Sequence, residues 1–378
     1  MTLPSSPRTK RRYKWILALV SVVVALVLAE VLLRIALFHT SVELAAKDPE
    51  YYAKSLDELW IYRHLFSASK RWTVGARRPE AAGETTIEFY KNWAASLVPD
   101  PELGYVREPN VAIPCHETTN LGTRGTRAYS QSGRKIVFLG DSFVESAACS
   151  SDTLTTKIES LTGIDTLNYG IGGYGVDQIF LYFERVAPTY NRKDCLILIG
   201  LIEDDLGRML LAVRTSPKPF FTLRDGRLVL HTSHIHPEAL NDFYQQPPER
   251  SYLYYFIRGR LGFPIYRSLM NQTRELRQNV VHAISQAMFK TMAEQQRAGQ
   301  FALAFVIFPT PGNPFDPGVI SLLRAEKIPV IDLQQGCLEG RPDTELYAEL
   351  HPTSLGNDLL ASCLVKDLTA MKLLPLSE

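Results

Sequence analysis

The sequence lacks an excess of charge of either sign. It carries 41 Lys and Arg residues against 40 Asp and Glu residues, a formal net charge of +1. The first 14 residues hold five basic residues and no acid, so the rest of the chain has 36 basic and 40 acidic residues, a net charge of −4. Such a mildly acidic body offers no basic face for phosphate contacts, which excludes a nucleic-acid-binding protein.

Cysteine is scarce, and its spacing excludes the common metal and redox motifs. The chain has five cysteines, and no two of them form a CxxC pair, so a zinc ribbon and a thioredoxin-like motif are absent. Outside the cytoplasm, such cysteines can form two disulfides with one thiol left over, and the sequence alone leaves the pairing open. Cys195 begins an apolar run and is predicted to be the buried free thiol.

Clustered metal ligands are also few. His231, His234 and His236 form an HxxHxH pattern that could hold zinc. No carboxylate or cysteine completes that set nearby, so no metal and no cofactor is predicted. Internal repeats and low-complexity tracts are absent as well, which excludes a solenoid.

Long hydrophobic runs are absent except for one near the N-terminus. From Trp15 to Phe38 the chain reads WILALVSVVVALVLAEVLLRIALF, which is long enough for a transmembrane helix. The basic residues before it predict that residues 1–14 are cytoplasmic, that 15–38 span the cell membrane, and that 39–378 lie outside the cytoplasm, in the periplasm if the cell is Gram-negative. A signal peptide cleaved after Val27-Leu28-Ala29 is the alternative.

Beyond the membrane span, the pattern changes at about residue 131. Residues 39–130 are a mixed lead-in segment with a helical stretch expected at about 49–67. The region 131–378 alternates short apolar runs (135–140, 165–170, 195–201, 302–308 and 329–333) with amphipathic stretches. Continuous apolar runs of this kind are typical of strands buried on both faces. The prediction is a three-layer α/β fold with a doubly wound parallel sheet.

An insertion of about a hundred residues, 206–300, separates the third apolar run from the fourth. It contains FFTLRDGRLVLH, in which Asp225-Gly226 predicts a hairpin turn. Because it follows the carboxyl end of a strand, we expect it to lie beside the ligand crevice.

Three motifs could carry chemistry: two follow predicted strands, and the third lies in the loop before the last predicted helix. Gly140-Asp141-Ser142-Phe143 would put a serine at a helix N-terminus, and the glycine-rich run 168–175 (NYGIGGYG) would point backbone N–H groups into a crevice. In the third motif, ELHP, His351 is a candidate base, and Glu349 could orient its ring. Taken singly, each motif could equally be an ordinary turn or a structural histidine.

Together these motifs resemble the SGNH (GDSL) hydrolase family over roughly residues 120–365. GDSF, NYGIGGYG and ELHPTSLGN occur in the family's order, and the run 120–125 (NLGTRG) and the hairpin insertion are similar to its membrane-anchored branch. The resemblance implies a flavodoxin-like SGNH fold with Ser142 as nucleophile, His351 as base and Glu349 in place of the usual Asp. It also implies that the backbone N–H groups of Ser142 and Gly173 stabilise an oxyanion.

The chain departs from the family after the third strand. Where the family has Gly-Asn-Asp, with the Asn amide donating to the oxyanion, this chain reads Glu203-Asp204-Asp205. An ionised Asp204 cannot donate and would repel developing negative charge. The loss of one oxyanion donor typically costs about 3 kcal/mol of transition-state stabilisation.

The sequence therefore predicts a membrane-anchored serine esterase acting on a small molecule, a lipid or a glycan that bears an ester, such as a carbohydrate O-acyl group. An O-acyltransferase that uses the same acyl-enzyme is an alternative, and so is a catalytically impaired scaffold with a binding or assembly role. Arg124 could bind an anionic group of the substrate, although a structural salt bridge is the commoner role for such a residue. No motif identifies a protein partner.

Overall fold

The computed structural model describes residues 13–32, 92–93, 95–210, 218–233, 235, 274–338, 340–348 and 351–374. The first of these ranges is helix α1, Tyr13–Leu32, with a mean hydropathy of 2.7. It is long and apolar enough to cross a membrane, and a signal sequence has the same properties. The expected helix at 49–67 lies outside the described residues.

Strands and helices alternate through the rest of the described chain. The strands are β1 Leu97–Asp100, β2 Gly104–Arg107, β3 Lys135–Gly140, β4 Asp165–Gly170, β5 Cys195–Leu201, β6 Phe220–Arg224, β7 Arg227–His231, β8 Ala302–Ile307, β9 Val330–Asp332, β10 Tyr347–Ala348 and β11 His351–Pro352. The helices after α1 are α2 Ser142–Glu145, α3 Leu154–Thr162, α4 Val176–Val186, α5 Glu203–Arg208, α6 Arg274–Ala298, α7 Pro317–Ala325, α8 Asp343–Leu346 and α9 Ser354–Ala370.

A five-stranded sheet with the order β4-β3-β5-β8-β9 forms the centre of the molecule, and all of its pairings are parallel. This is the flavodoxin-like strand order, and it confirms the predicted doubly wound α/β fold. In register, Gly140 at the end of β3 pairs with Gly170 at the end of β4. The loops that leave these carboxyl ends therefore meet at one edge of the sheet.

Helices cover both faces of the sheet. Alternate residues of β3 face opposite sides, so Val137 and Leu139 pack with α4, α6 and α7, whereas Ile136 and Phe138 pack with α3 and α9. Helix α6 falls inside the predicted insertion, yet its buried side chains are part of this core.

The leucine spacing of the last helix predicts an inner face formed by Leu355, Leu359, Leu360, Leu364 and Leu368, and this prediction is wrong at Leu355. Leu360, Leu364 and Leu368 are fully buried, whereas Leu355 is 36% exposed. Leu355 lies five residues before Leu360, which at about 100° per residue puts it about 140° away from the buried stripe.

The end of the lead-in segment is part of the same core. Strands β1 and β2 form an antiparallel hairpin. Trp93, Leu97, Leu103 and Tyr105 join the hydrophobic cluster that covers the first face of the sheet. The predicted boundary at residue 131 stays a prediction, but the described residues on both sides of it are packed together.

The hairpin predicted inside the insertion is present. Strands β6 and β7 pair antiparallel around Asp225 and Gly226, whose φ angles are 52° and 72°. Two successive residues with positive φ are typical of the type I′ turn that Asp-Gly favours. Most of the remaining insertion lies outside the described residues.

Two disulfides link segments of the domain. Cys115 is bonded to Cys149, and Cys337 to Cys363. Cys195 is free and buried, which confirms the prediction for this residue.

Candidate active site

The turn from β3 into α2 presents Ser142. Asp141 is the N-cap of α2, and its carboxylate accepts a hydrogen bond from the Phe143 N–H at 2.9 Å. Helix α2 is a single turn, and the residue that follows it, Ser146, has a φ of 70°. Ser142 is the first helical residue, so its N–H has no acceptor within the helix.

His351 meets Ser142 from the other end of the chain. Its Nε2 lies 2.9 Å from Ser142 Oγ, although 209 positions separate the two residues. His351 is paired with Ala348 in the short β10–β11 ladder, and its ring packs against Phe143 with 5.7 Å between the ring centroids. The histidine is thus held by backbone pairing on one side and by an aromatic contact on the other.

Hydrogen bonds from helix α9 hold this arrangement against the segment that follows Ser142. The Asn357 side-chain amide donates to Ser146 Oγ at 3.0 Å and to the Asp152 carbonyl at 2.9 Å. Thr353 caps the helix by accepting from the Gly356 N–H. Because His351 lies just before this cap, docking of α9 positions the histidine. Glu349, predicted to orient the ring, lies outside the described residues.

The glycine-rich loop after β4 lies against the same turn. The Ile171 N–H donates to the Gly140 carbonyl at 3.1 Å, and the Gly172 N–H donates to the Glu145 carboxylate at the end of α2. Gly173 has a φ of 83°, which favours glycine. Within the described part of the chain, no group accepts a hydrogen bond from the Gly173 N–H.

A buried charge cluster lies beside Ser142. Arg208 at the end of α5 donates to Asp141 Oδ2 at 2.8 Å and to Asp205 Oδ1 at 2.7 Å. Burial alone would lower the pKa of Arg208, but Asp205, Asp141 and Asp204 outweigh it and raise that pKa. Burial, reinforced by Asp141, raises the pKa of Asp205 well above its ordinary value. Ser142 Oγ lies 3.2 Å from the Asp141 oxygen that Arg208 contacts.

Asp204, which replaces the family's oxyanion-donating Asn, accepts a hydrogen bond in this structure. Asn313, in the loop between β8 and α7, donates its side-chain amide to Asp204 Oδ1 at 3.1 Å. Asp204 Oδ2 lies 3.8 Å from Arg208. A side-chain amide is therefore present next to Asp204, but it comes from the loop that follows a different strand of the sheet, β8.

Two other candidates from the sequence have structural contacts. Arg124 is buried and donates to the carbonyls of Cys115, Ser146 and Ala148, so it supports the segment that follows the nucleophile. His231 lies 2.9 Å from Thr222 Oγ1 and stacks on Phe220. His234 and His236 lie outside the described residues, and the described part of the chain contains no cluster that could hold a metal ion.

With this geometry established, comparisons with known proteins can be considered. No protein-family model matches the chain, and no curated protein matches it. The solved structures that it resembles include GDSL-type hydrolases.

Three of these structures are a lipase/acylhydrolase, a lipase and an esterase. The lipase/acylhydrolase from Enterococcus faecalis is 14% identical with a TM-score of 0.36, covering 65% of this chain and 100% of that one. The GDSL-like lipase from Bacteroides thetaiotaomicron is 14% identical with a TM-score of 0.33, covering 64% and 93%. The psychrotrophic esterase from Pseudoalteromonas is 11% identical with a TM-score of 0.35, covering 63% and 98%. A function has to be argued from the site itself.

Several residues that the sequence analysis did not single out contact the site. Arg208, Asn313, Glu145 and Tyr105 all touch the nucleophile turn, the glycine-rich loop or the Asp204 position. Glu145 lies three residues after Ser142 and Arg208 three residues after Asp205, so their positions near recognised motifs were usable signals.

Proposed function

We propose that the protein is a serine hydrolase that acts on ester bonds. The observation that carries this proposal is the 2.9 Å contact between Ser142 Oγ and His351 Nε2, in a site where these groups come from opposite ends of the domain. A serine beside an imidazole can be deprotonated as it attacks a carbonyl carbon.

In the proposed reaction, His351 takes the hydroxyl proton while Ser142 Oγ bonds to the ester carbonyl carbon. The tetrahedral intermediate collapses, and the departing alcohol takes the proton from His351. Water then attacks the acyl-enzyme with His351 again as base, which releases the acid and returns a proton to Ser142. The N–H groups of Ser142 and Gly173 are the proposed oxyanion donors, and Glu349 is the proposed partner of the His351 ring.

The proposed substrates are esters of small molecules, lipids or glycans. The proposed location follows from the sequence: residues 1–14 in the cytoplasm, the hydrophobic helix as a retained anchor, and the catalytic region outside. Support for the anchor comes from the apolar run, which continues past the small-residue site at Ala29.

The test is hydrolysis of a short-chain aryl ester by the full chain in detergent. Ser142→Ala removes the nucleophile, so we expect hydrolysis to fall to background, at least about 1000-fold. Asp358→Asn, which changes an exposed side chain on α9, is the control and should keep full activity. Equal rates in wild type and Ser142→Ala would contradict the serine mechanism.

Labelling with a fluorophosphonate gives an independent reading. Labelling of the wild type but not of Ser142→Ala would support an activated serine even if the aryl ester is a poor substrate. Preferential acyl transfer to a glycan hydroxyl over water would identify an O-acyltransferase. A wild type that neither hydrolyses nor labels would be the impaired scaffold.

A further inference from the structure

The backbone of Gly172 is held by side chains from distant parts of the chain. The Tyr105 hydroxyl, from β2, donates to the Gly172 carbonyl oxygen at 2.8 Å. The Glu145 carboxylate, from α2, accepts from the Gly172 N–H. Gly172 is therefore hydrogen-bonded on both of its backbone polar groups.

The hydrogen bond from Tyr105 determines where the Gly173 N–H points. A peptide unit is planar and trans, so the Gly172 carbonyl and the Gly173 N–H lie in one plane and point in opposite directions. A hydrogen bond that fixes the carbonyl fixes the N–H as well. Because glycine has wide backbone freedom, a Gly-Gly peptide can rotate at low cost unless an outside group restrains it.

The Tyr105 side chain is itself restrained. It is 1% exposed, and its ring makes edge contacts with Trp93 and Tyr174 at centroid distances of 6.3 and 5.4 Å. The Tyr174 hydroxyl donates in turn to the Tyr105 carbonyl. A hydroxyl on such a packed ring has little freedom to follow a rotating peptide, so it acts as a fixed reference.

Glu145 is held by one residue of the same strand and by Trp93, which precedes β1. Its carboxylate accepts from Trp93 Nε1 at 2.8 Å and is paired with Arg107, and both partners are buried. Tyr105 and Arg107 are two positions apart in β2, so their side chains leave the same face of the strand. One strand face therefore reaches the carbonyl of Gly172 directly and its N–H through Glu145.

We propose that Tyr105 is a positioning residue for catalysis: its hydroxyl orients the Gly172–Gly173 peptide so that the Gly173 N–H is aimed at the oxyanion. Glu145 assists by holding the Gly172 N–H against the helix that carries Ser142. This proposal rests on the proposed esterase function and assigns a task to residues outside the three motifs. Neither side chain touches the reacting atoms.

The test is Tyr105→Phe in the full chain, which removes one hydroxyl and keeps the ring. We expect kcat for the aryl ester to fall about 10-fold, less than the loss of a whole oxyanion donor, while KM changes by less than about 2-fold. Affinity for a boronate that mimics the tetrahedral intermediate should fall by a factor similar to that of kcat.

The matched control is Tyr190→Phe. The Tyr190 hydroxyl is also buried, but it lies 3.0 Å from the hydroxyl of Tyr169, inside β4, and has no described contact with residues 171–175. It should lower the unfolding temperature by a similar amount and leave kcat and boronate affinity unchanged. An equal loss of kcat in both variants, or none in Tyr105→Phe, would overturn the proposal.

A second pair covers the case in which Tyr105→Phe does not fold. Glu145→Gln should lower kcat without raising KM. Glu159→Gln is its control and should leave kcat unchanged. Like Glu145, Glu159 has a carboxylate that contacts several donors, namely Arg127, the Tyr129 hydroxyl and the Thr166 N–H. Equal kcat in these two variants would also overturn the proposal. If the wild type neither hydrolyses nor labels with the fluorophosphonate, the esterase function fails first, and this result is distinct from an active wild type with active variants.

Discussion

At the scale of single residues, the charges around Ser142 are unusual for the oxyanion site that we propose there. Asp141 and Asp205 contact Arg208, and Asp204 lies 3.8 Å from it. Arg208 offsets part of the negative charge beside the nucleophile. Asn313 provides an amide at Asp204, where the resemblance would place an oxyanion donor.

Asp204→Asn should raise esterase activity. It removes a negative charge near the oxyanion and supplies a side-chain N–H that can donate, so we expect kcat to rise about 10-fold. The measurement is steady-state hydrolysis of the aryl ester, with Asp194→Asn, at the opposite end of β5 from Asp204, as a control for the loss of one charge. A further loss of activity would mean that the carboxylate is needed to hold Asn313 or Arg208.

The sequence could predict the two residues that meet in the site, Ser142 and His351, but not the residues that hold them in place. Ser142 follows β3 and His351 lies just before the last helix, each within a short motif, so a local pattern points to them. Tyr105 lies 67 positions from Gly172, its hydrogen-bond partner, and Arg208 lies 67 positions from Asp141. Their tasks depend on how distant segments pack together, which no local spacing encodes.

At the scale of elements, the strands were the most predictable part of the fold. Runs such as CLILIGL are buried throughout because helices cover both faces of the sheet, so their composition alone identifies them. Helix α2 was harder: the motif predicts a helix N-terminus at Ser142 but not where the helix ends, and it ends at Glu145, after which Ser146 has a positive φ. The exposed Leu355 shows that a helix's first turn can leave the buried stripe.

The junction of α5 with α7 should respond to pH. Burial raises the pKa of Glu203 to about 7, and the nearby carboxylates Asp316 and Asp204 add to the shift, whereas His282 and the hydrogen bond from the Asp316 N–H oppose it. Between its ordinary value and about 7, the folded state therefore binds more protons at this group than the unfolded state. Linkage then requires this group's contribution to stability to fall as pH rises through that interval.

The corresponding variant is Glu203→Gln, which removes the titration. We expect the unfolding temperature of the wild type to decrease from pH 5 to pH 7.5 relative to that of the variant, with the difference levelling off at higher pH. Glu294→Gln, which alters an exposed residue on α6, should keep the wild-type pH dependence. If the curves of unfolding temperature against pH were parallel for the wild type and Glu203→Gln, Glu203 would not be the source of the pH dependence.

At the scale of the whole molecule, the two disulfides and the hydrophobic helix both fit the proposed location of the catalytic region outside the cytoplasm. Disulfides persist in oxidising compartments, and the positive residues before the helix predict that the body of the chain is exported. In the chain-entropy description, closing loops with sequence separations of 34 and 26 residues stabilises the fold by about 3–4 kcal/mol each.

Thiol counting checks this arrangement. Unfolded but unreduced protein from an oxidising compartment should react with one equivalent of a thiol reagent, at Cys195, and reduction should raise the count to five. Reduction should also lower the unfolding temperature. A count of three or five before reduction would mean that at least one disulfide is absent.

Strand β2 also determines where a shortened form of this protein must begin. A chain cut at residue 131 would keep the serine, the histidine and the whole parallel sheet, yet it would lose Trp93, Tyr105 and Arg107 together with the core that they complete. For transplantation into a soluble chimera, the smallest unit that keeps this core and the contacts of Glu145 and Gly172 therefore begins before Trp93, nearer to helix α1 than the three motifs alone suggest.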